Sequence, residues 1–373
     1  MSLWPDSIVL DGRAIPLAEV LADVTIHHGR EEVTDDPTAS TCQITMLGVD
    51  RAFTSTFQIG VDLAVTAKDD AGVSSPRFTG RITDAGLDDD VVTVIAAGKL
   101  STLGSYVVGT SGVWPVEAWS ARLTRAFTEA GLSSLLELQA DPTFDPQLAA
   151  RDSSTAGSTT LADYLAFLAP MVGAAVVDRP DGRILVQALG ARSLANQYVI
   201  DPAVVQYAPQ WQQVLPAGNV LTVRYTGDQS EHVIMRDDAS VALYGERRRT
   251  IDTNFVNAAD ASTRATVALG RGAYSHWNMR EAPILAGLPL TVGEPVELTR
   301  LPPAAPVDYW TPIVEGWTDE ISGADWHMRV TLSDPLISGL LLPWSDVPAG
   351  ELWTTIDQTV AWRDALTLED LIA

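Results

Sequence analysis

Apolar and polar residues alternate along much of this chain at the two-residue period of a strand. The clearest case is residues 309–334, YWTPIVEGWTDEISGADWHMRVTLSD, where Ile313, Glu315 and Trp317 and then Trp326, Met328, Val330 and Leu332 keep that period. Two such runs about a Ser322-Gly323-Ala324-Asp325 turn predict a β-hairpin with one buried and one wet face. An earlier stretch repeats the spacing, with Phe78-Thr79-Gly80-Arg81-Ile82-Thr83-Asp84, a Gly/Asp turn, then Val92, Val94 and Ile95. Gly80 precedes Val92 by 12 residues, as Gly316 precedes Met328. A Gly-led strand lies upstream of each, Gly60-Val61-Asp62-Leu63-Ala64-Val65 and Gly293-Glu294-Pro295-Val296-Glu297-Leu298. The pattern is that of an internally duplicated β unit.

Other strands are predicted at Ser7-Ile8-Val9-Leu10, Val24-Thr25-Ile26-His27-His28 and Cys42-Gln43-Ile44-Thr45-Met46, so residues 1–105 read as a small barrel or sandwich. The period then changes. Val116, Trp119, Leu123, Ala126, Phe127 and Ala130 keep to one side of a helix begun by Pro115 and stopped by Gly131. Ser158-Thr159-Thr160 caps a second helix over Leu161, Tyr164, Leu165 and Leu168, ending near Pro170. Arg179-Pro180-Asp181-Gly182 is a hairpin turn. Residues 106–205 are therefore expected as an α/β insertion, and residues 206–340, with a helix near 260–274, as a second β domain. The fold class expected is α+β, mainly β. In the tail, 341–373, Trp344, Trp353 and Trp362 recur at an interval of nine, with Leu371 at the next step. That interval fits one face of neither helix nor strand. It suits an extended peptide with one ring per pocket of a receptor surface, or a tail that folds back on its own core.

A length of 373 residues and 46% apolar composition are ample for packed cores. A net charge of −24 leaves no basic stripe for nucleic acid and disfavours an anionic membrane. Lys68 and Lys99 are the two lysines among 24 basic residues, a skew that fits a high-GC genome. Cys42 is alone, which rules out an intrachain disulfide and a Cys-based zinc site. No export signal or membrane span is expected.

Catalytic motifs of the common hydrolase, zinc-protease and nucleotide-binding kinds are missing from the sequence. Glu315 with Asp319 or Glu320 could be drawn as a glycosidase pair, and His27-His28 with Glu31-Glu32 as a metal cluster. Neighbouring strand residues point to opposite faces, and carboxylates are common here, so both are weaker than a structural reading. Asp88-Asp89-Asp90 reads as a solvated turn, with surface calcium as the alternative. Arg247-Arg248-Arg249 is the one basic cluster, either paired locally or docking on an acidic partner. No cofactor is expected.

Three passages resemble a known family. Pro76-Arg77-Phe78-Thr79-Gly80-Arg81-Ile82-Thr83-Asp84 is similar to the F-x-G-x-I strand of tail-tube-like domains. Ser240-Val241-Ala242-Leu243-Tyr244-Gly245-Glu246-Arg247-Arg248 is similar to a passage of hub proteins that precedes a short helix, and Trp326 to Asp334 to the strand that closes their last barrel. The chain thus resembles the baseplate hub, or minor tail protein, class of siphophages infecting actinobacteria, over about residues 1–340. The resemblance implies two tail-tube-like barrels and a non-enzymatic virion protein at the tail tip, assembled in the host cytoplasm. It implies a trimer whose six barrels meet a tail tube or distal tail protein above and a spike, fibre or other minor tail protein below. The ring would close the DNA channel, with the tape measure protein in its lumen, until infection. Phe78, Gly80, Gly316, Trp317 and Trp326 form the structural fingerprint, with Gly316 expected as the counterpart of Gly80. Trp344, Trp353, Trp362, Leu371 and Arg247 to Arg249 are the expected docking residues. A hexameric distal tail protein is the nearest rival, and a tail-associated cell-wall hydrolase or carbohydrate-binding module is the alternative from another class.

Overall fold

The computed structural model describes residues 4–10, 12–16, 21–30, 38–47, 57–69, 71–110, 112–151, 159–191, 198–200, 205, 210–226, 230–285, 287–298, 301, 310–322, 325–333, 341–342 and 361–362. The first strands are β1 (Trp4–Leu10), β2 (Arg13–Pro16), β3 (Leu21–Gly29), β4 (Thr41–Leu47), β5 (Asp62–Lys68), β6 (Ser74–Asp88) and β7 (Val91–Ala97). A middle part follows with β8 (Glu117–Ala118), helix α1 (Trp119–Glu129), β9 (Leu136–Gln139), β10 (Gln147–Leu148), α2 (Leu161–Val172), β11 (Ala175–Asp178), β12 (Ile184–Gln187) and β13 (Tyr198–Ile200). Then come β14 (Gln210–Val214), β15 (Val220–Tyr225), β16 (Glu231–Arg236), α3 (Asp238–Tyr244), β17 (Arg248–Asp252), α4 (Ala258–Gly272), β18 (His276–Ile284), β19 (Val296–Leu298), β20 (Ile313–Ser322) and β21 (Asp325–Ser333). The fold is mainly β, a curled half-barrel with helices on a separate part.

Four strands of each β unit lie in one eleven-stranded sheet, ordered β14-β18-β21-β20-β3-β4-β7-β6-β5-β1-β2, whereas the second unit's glycine-led strand, β19, pairs with β13 and meets the start of β20 through isolated bridges. Its buried side forms one core, from Ile8 and Val24 to Trp326 and Leu332. A second core packs α1, α2 and α4 with β11, β12, β15 and β17, through Trp119, Phe127, Leu165, Val186, Val223, Phe255 and Ala265. Of residues 206–272, β14 joins the large sheet, whereas β15, β17 and α4 contribute to this second core. The helix-period stripe of Ala261, Ala265 and Ala268 needs an apolar partner, and β15 supplies it with Leu221 and Val223. Thr160 caps α2 by accepting from Asp163 N at 3.1 Å, and left-handed Gly173 ends it three residues after Pro170.

The duplication is written in the backbone. In the first unit Gly60 N donates to Ile82 O at 2.8 Å and Ile82 N to Val61 O at 3.0 Å; in the second, Gly293 N donates to Val314 O at 2.8 Å and Val314 N to Glu294 O at 3.0 Å. A β-bulge follows at once in each hairpin, leaving Thr83 and Glu315 as the extra residues. Ile26, Cys42, Ala96 and Ile82 form one row across β3, β4, β7 and β6, and Trp211, Met279, Leu332 and Val314 form the matching row across β14, β18, β21 and β20. The expected match of Gly316 with Gly80 is corrected by this register. Aligning the glycines would set Ile82 against Thr318, but the bonding sets it against Val314, four residues earlier. Each glycine is instead required by a close approach. A Cβ on Gly80 would sit 2.3 Å from Ala97 O, and one on Gly316 2.6 Å from His28 O.

Candidate functional site: a buried ionic seam between the β units

Two bulges turn charged side chains into the core. Arg77 is the extra residue of β6 where Val65 pairs with Phe78 and Thr66 with Pro76, so Arg77 and Phe78 are both buried despite being neighbours. Glu315 is the extra residue of β20. Asp319 lies on the core face of β20, 0% exposed. Arg77 grips it with Nε to Oδ2 at 2.7 Å and Nη2 to Oδ1 at 3.0 Å. Trp317 Nε1 donates to Oδ2 at 3.1 Å and Trp326 Nε1 to Oδ1 at 2.9 Å. Four donors on two oxygens satisfy the carboxylate, and the guanidinium lies 5.0 and 5.6 Å from the two indole centroids.

His28 of β3 closes the next layer. Its Nε2 lies 2.8 Å from Arg77 O, which can accept but not donate, so Nε2 carries the proton and Nδ1 accepts from Ser40 Oγ at 2.8 Å. Burial, aided by the Arg77 charge, pushes its pKa down to about 4, so the ring is neutral. A second pair stands beside it: Arg30 Nε and Nη2 reach Glu315 Oε2 at 2.8 and 2.7 Å, and Ser333 Oγ donates to Oε1 at 2.7 Å. Asp178 of β11 ties the middle part to the seam, accepting from Ser40 N and Leu100 N at 2.9 Å each. Burial outweighs those bonds and raises its pKa to about 6.

The arrangement holds three parts of the chain in register. Glu315 and Asp319 are both inaccessible and each bound to an arginine, so neither can meet a glycoside; Glu320 is half-buried and paired with Arg329 at 3.1 Å. His27 Nδ1 meets Thr318 Oγ1 at 3.0 Å on the face opposite His28. Among the described residues no cluster of His, Cys, Asp or Glu could hold a metal ion. Asp88 to Asp90 form the exposed β6–β7 turn, and Cys42 is a buried thiol whose pKa burial raises.

Phe78, Gly80, Gly316, Trp317 and Trp326 all lie in the large sheet around this seam. The arginine cluster lies elsewhere, at the start of β17. Arg248 is exposed and bound to Glu246, which also holds Arg236 at 2.8 Å; burial lowers the pKa of Arg249; and Arg247 N donates to Asn219 Oδ1 at 2.7 Å. Trp344, Trp353 and Leu371 fall outside the described residues, and of Trp362 the backbone alone is described, in a parallel pair of Ala361–Trp362 with Leu341–Leu342. Sequence reasoning missed Arg30, Arg77, His28 and Asp178 as seam residues. The available signals were Pro76 and Gly316 inside alternating strands, since both residue types mark bulges.

No family model and no curated protein matches this chain. Its fold does match solved structures. The tail protein from Neisseria meningitidis MC58 aligns with a TM-score of 0.61 at 12% identity, over 90% of this chain and 98% of that one. The 43 kDa tail protein of prophage MuSo2 from Shewanella oneidensis aligns at 0.59 and 11%, over 90% and 99%. The E. coli c3393 protein, a type VI secretion component described as similar to the T4 phage tail proteins gp27 and gp5, aligns at 0.50 and 10%, over 88% and 76%. The chain shares the fold of these tail proteins over about nine tenths of its length.

Proposed function

We propose that the chain is a structural virion protein of a phage tail tip, a baseplate hub without enzymatic activity. Three copies form a ring between the tail tube or distal tail protein above and a spike, fibre or other minor tail protein below. The ring closes the DNA channel around the tape measure protein until infection. The observation that carries the reading is the duplicated unit: the same four-strand row and the same bulged hairpin occur twice in one sheet. Two equivalent units per chain let three chains present six similar surfaces to a sixfold tube, while the chain itself keeps threefold symmetry for what lies below. The fold likeness to tail proteins over about nine tenths of the chain supports the same setting.

Class averages of the purified assembly viewed down its axis test this. Three chains with six similar lobes are expected. Six chains with one lobe each would replace the hub with a distal tail protein, and a lytic band on host cell wall would overturn the non-enzymatic reading. Removing residues 344–373 tests the tail: docking by Trp344, Trp353, Trp362 and Leu371 predicts loss of complete tail tips from the truncated chain.

A further inference from the structure

Within the chain, the two units are joined by strand pairing. β3 runs antiparallel along β20 from Gly316↔Gly29 to Ser322↔Asp23. The equivalent stretch of β6 has a bare edge. β6 leaves β5 at Arg81↔Asp62, and from Thr83 to Asp88 it pairs with β7 alone among the described residues. All six of those residues are exposed, Leu87 by 63%, although Leu87 stands across from buried Val92 on the core face. A bare edge with an exposed leucine on its core face is a template for another strand.

The strand that fits is β14. It holds the place in its unit that β3 holds in the first, next to β18 as β3 is next to β4, yet it ends the sheet. Trp211 of β14 occupies the row position of Ile26. Its indole N–H is buried with no hydrogen-bond partner among the described residues, and Gln212 and Gln213 are exposed.

We propose that β14 of one copy pairs antiparallel with the 83–88 edge of β6 in the next copy, repeating between copies the β3–β20 junction within each. Ile26 stands opposite Asp319, five residues after Val314, and the fifth residue after Ile82 is Leu87. The register is therefore Trp211 opposite Leu87 and Gln212 opposite Gly86, and the five residues of β14 span 84–88. The occupant is a second copy because the chain carries both halves of the junction and already joins their counterparts once. Six strands separate β14 from β6 in the sheet of one copy. A head-to-tail contact of this kind closes into a ring when its rotation divides a full turn, so the inference rests on the ring reading above and names the surface that builds it.

Engineered cysteines test the register on the full chain. Cys42, the sole native cysteine, is buried, Gly86 has open space around an added Cβ, and Gln212 is exposed. Directly opposed Cβ atoms in an antiparallel pair lie within disulfide reach, so oxidised Gln212→Cys/Gly86→Cys is expected to form a covalent ladder ending at three chains, about tenfold more than Gln213→Cys/Gly86→Cys, whose side chains face opposite ways. A mixture of the two single variants, Gln212→Cys and Gly86→Cys, should give the linked pair and stop there. Monomers alone, a disulfide within one chain, or equal linking in both double variants would overturn the junction. A threefold ring in images without cross-links would remove the junction and leave the hub reading standing. A ladder ending at six chains would keep the junction and remove the trimer.

Discussion

Position for position, hairpin β20–β21 carries Glu315, Trp317 and Asp319 where hairpin β6–β7 carries Thr83, Ala85 and Leu87. The backbones follow one plan, down to the glycine-led strand and the bulge. The second hairpin is covered by β3 and filled with an ion pair and two indoles, whereas the first is exposed to solvent along residues 83–88. A repeated backbone plan therefore does not repeat burial. What covers the strand edge decides whether a carboxylate on it needs an arginine.

The largest test of that difference is Asp319→Ala. It strands the Arg77 guanidinium in the core and should lower unfolding free energy by about 3–5 kcal/mol in urea titration. Arg77→Met with Asp319→Leu should recover much of the loss, because breaking such a pair is worse than replacing it. Equal losses in both would mean the seam contributes through shape rather than charge.

Acidity probes the link between seam and middle part. The folded pKa of His28, about 4, lies below its unfolded 6.5, so its contribution is present above pH 6.5 and lost as pH falls through about 4. The folded pKa of Asp178, about 6, lies above its unfolded 3.8, so its contribution is present below pH 3.8 and lost as pH rises through about 6. The two offset each other between pH 4 and 6. In Asp178→Asn the unfolding free energy should therefore fall more steeply than in the wild type as pH drops across that window, by about 1.4 kcal/mol per unit. Parallel profiles would overturn the opposed titration.

Gly316→Ala should destabilise by about 2 kcal/mol or more, since its Cβ meets backbone oxygen at 2.6 Å. Gly86→Ala, on the open hairpin, has free space and should stay within about 0.5 kcal/mol. A comparably small effect belongs to Arg81→Ala. Its pair with Asp62, at 2.9 Å, is 54% and 60% exposed, and removal should change stability by at most about 1 kcal/mol, vanishing in high salt. A loss as large as that of Asp319→Ala would erase the contrast between the hairpins.

Much of this was legible from residue order because it is local. The hairpin of β20 and β21, the cap Thr160, the Arg179 to Gly182 turn and the helix stripe of Trp119, Leu123 and Phe127 each depend on neighbours a few positions away. The duplication was visible too, but with the wrong glycines matched, since spacing along the chain does not reveal which backbone groups bond. Strict alternation also placed Glu315 as a candidate for chemistry and passed over Arg77. A one-residue bulge flips the face of everything beside it, and its presence is settled by the partner strand.

By itself, then, the sequence determined a mainly β chain with a helical middle, two glycine-led hairpins and no common catalytic signature. Tertiary structure alone decided that four strands of each unit share one sheet, that Asp319 and Glu315 are buried beside Arg77 and Arg30, and that the 83–88 edge pairs with β7 alone among the described residues. The physical reason is range. Propensity and periodicity act over a few residues, whereas Arg77 meets Asp319 across 242 positions, and the desolvation that makes their pairing necessary exists only once the core has closed around them.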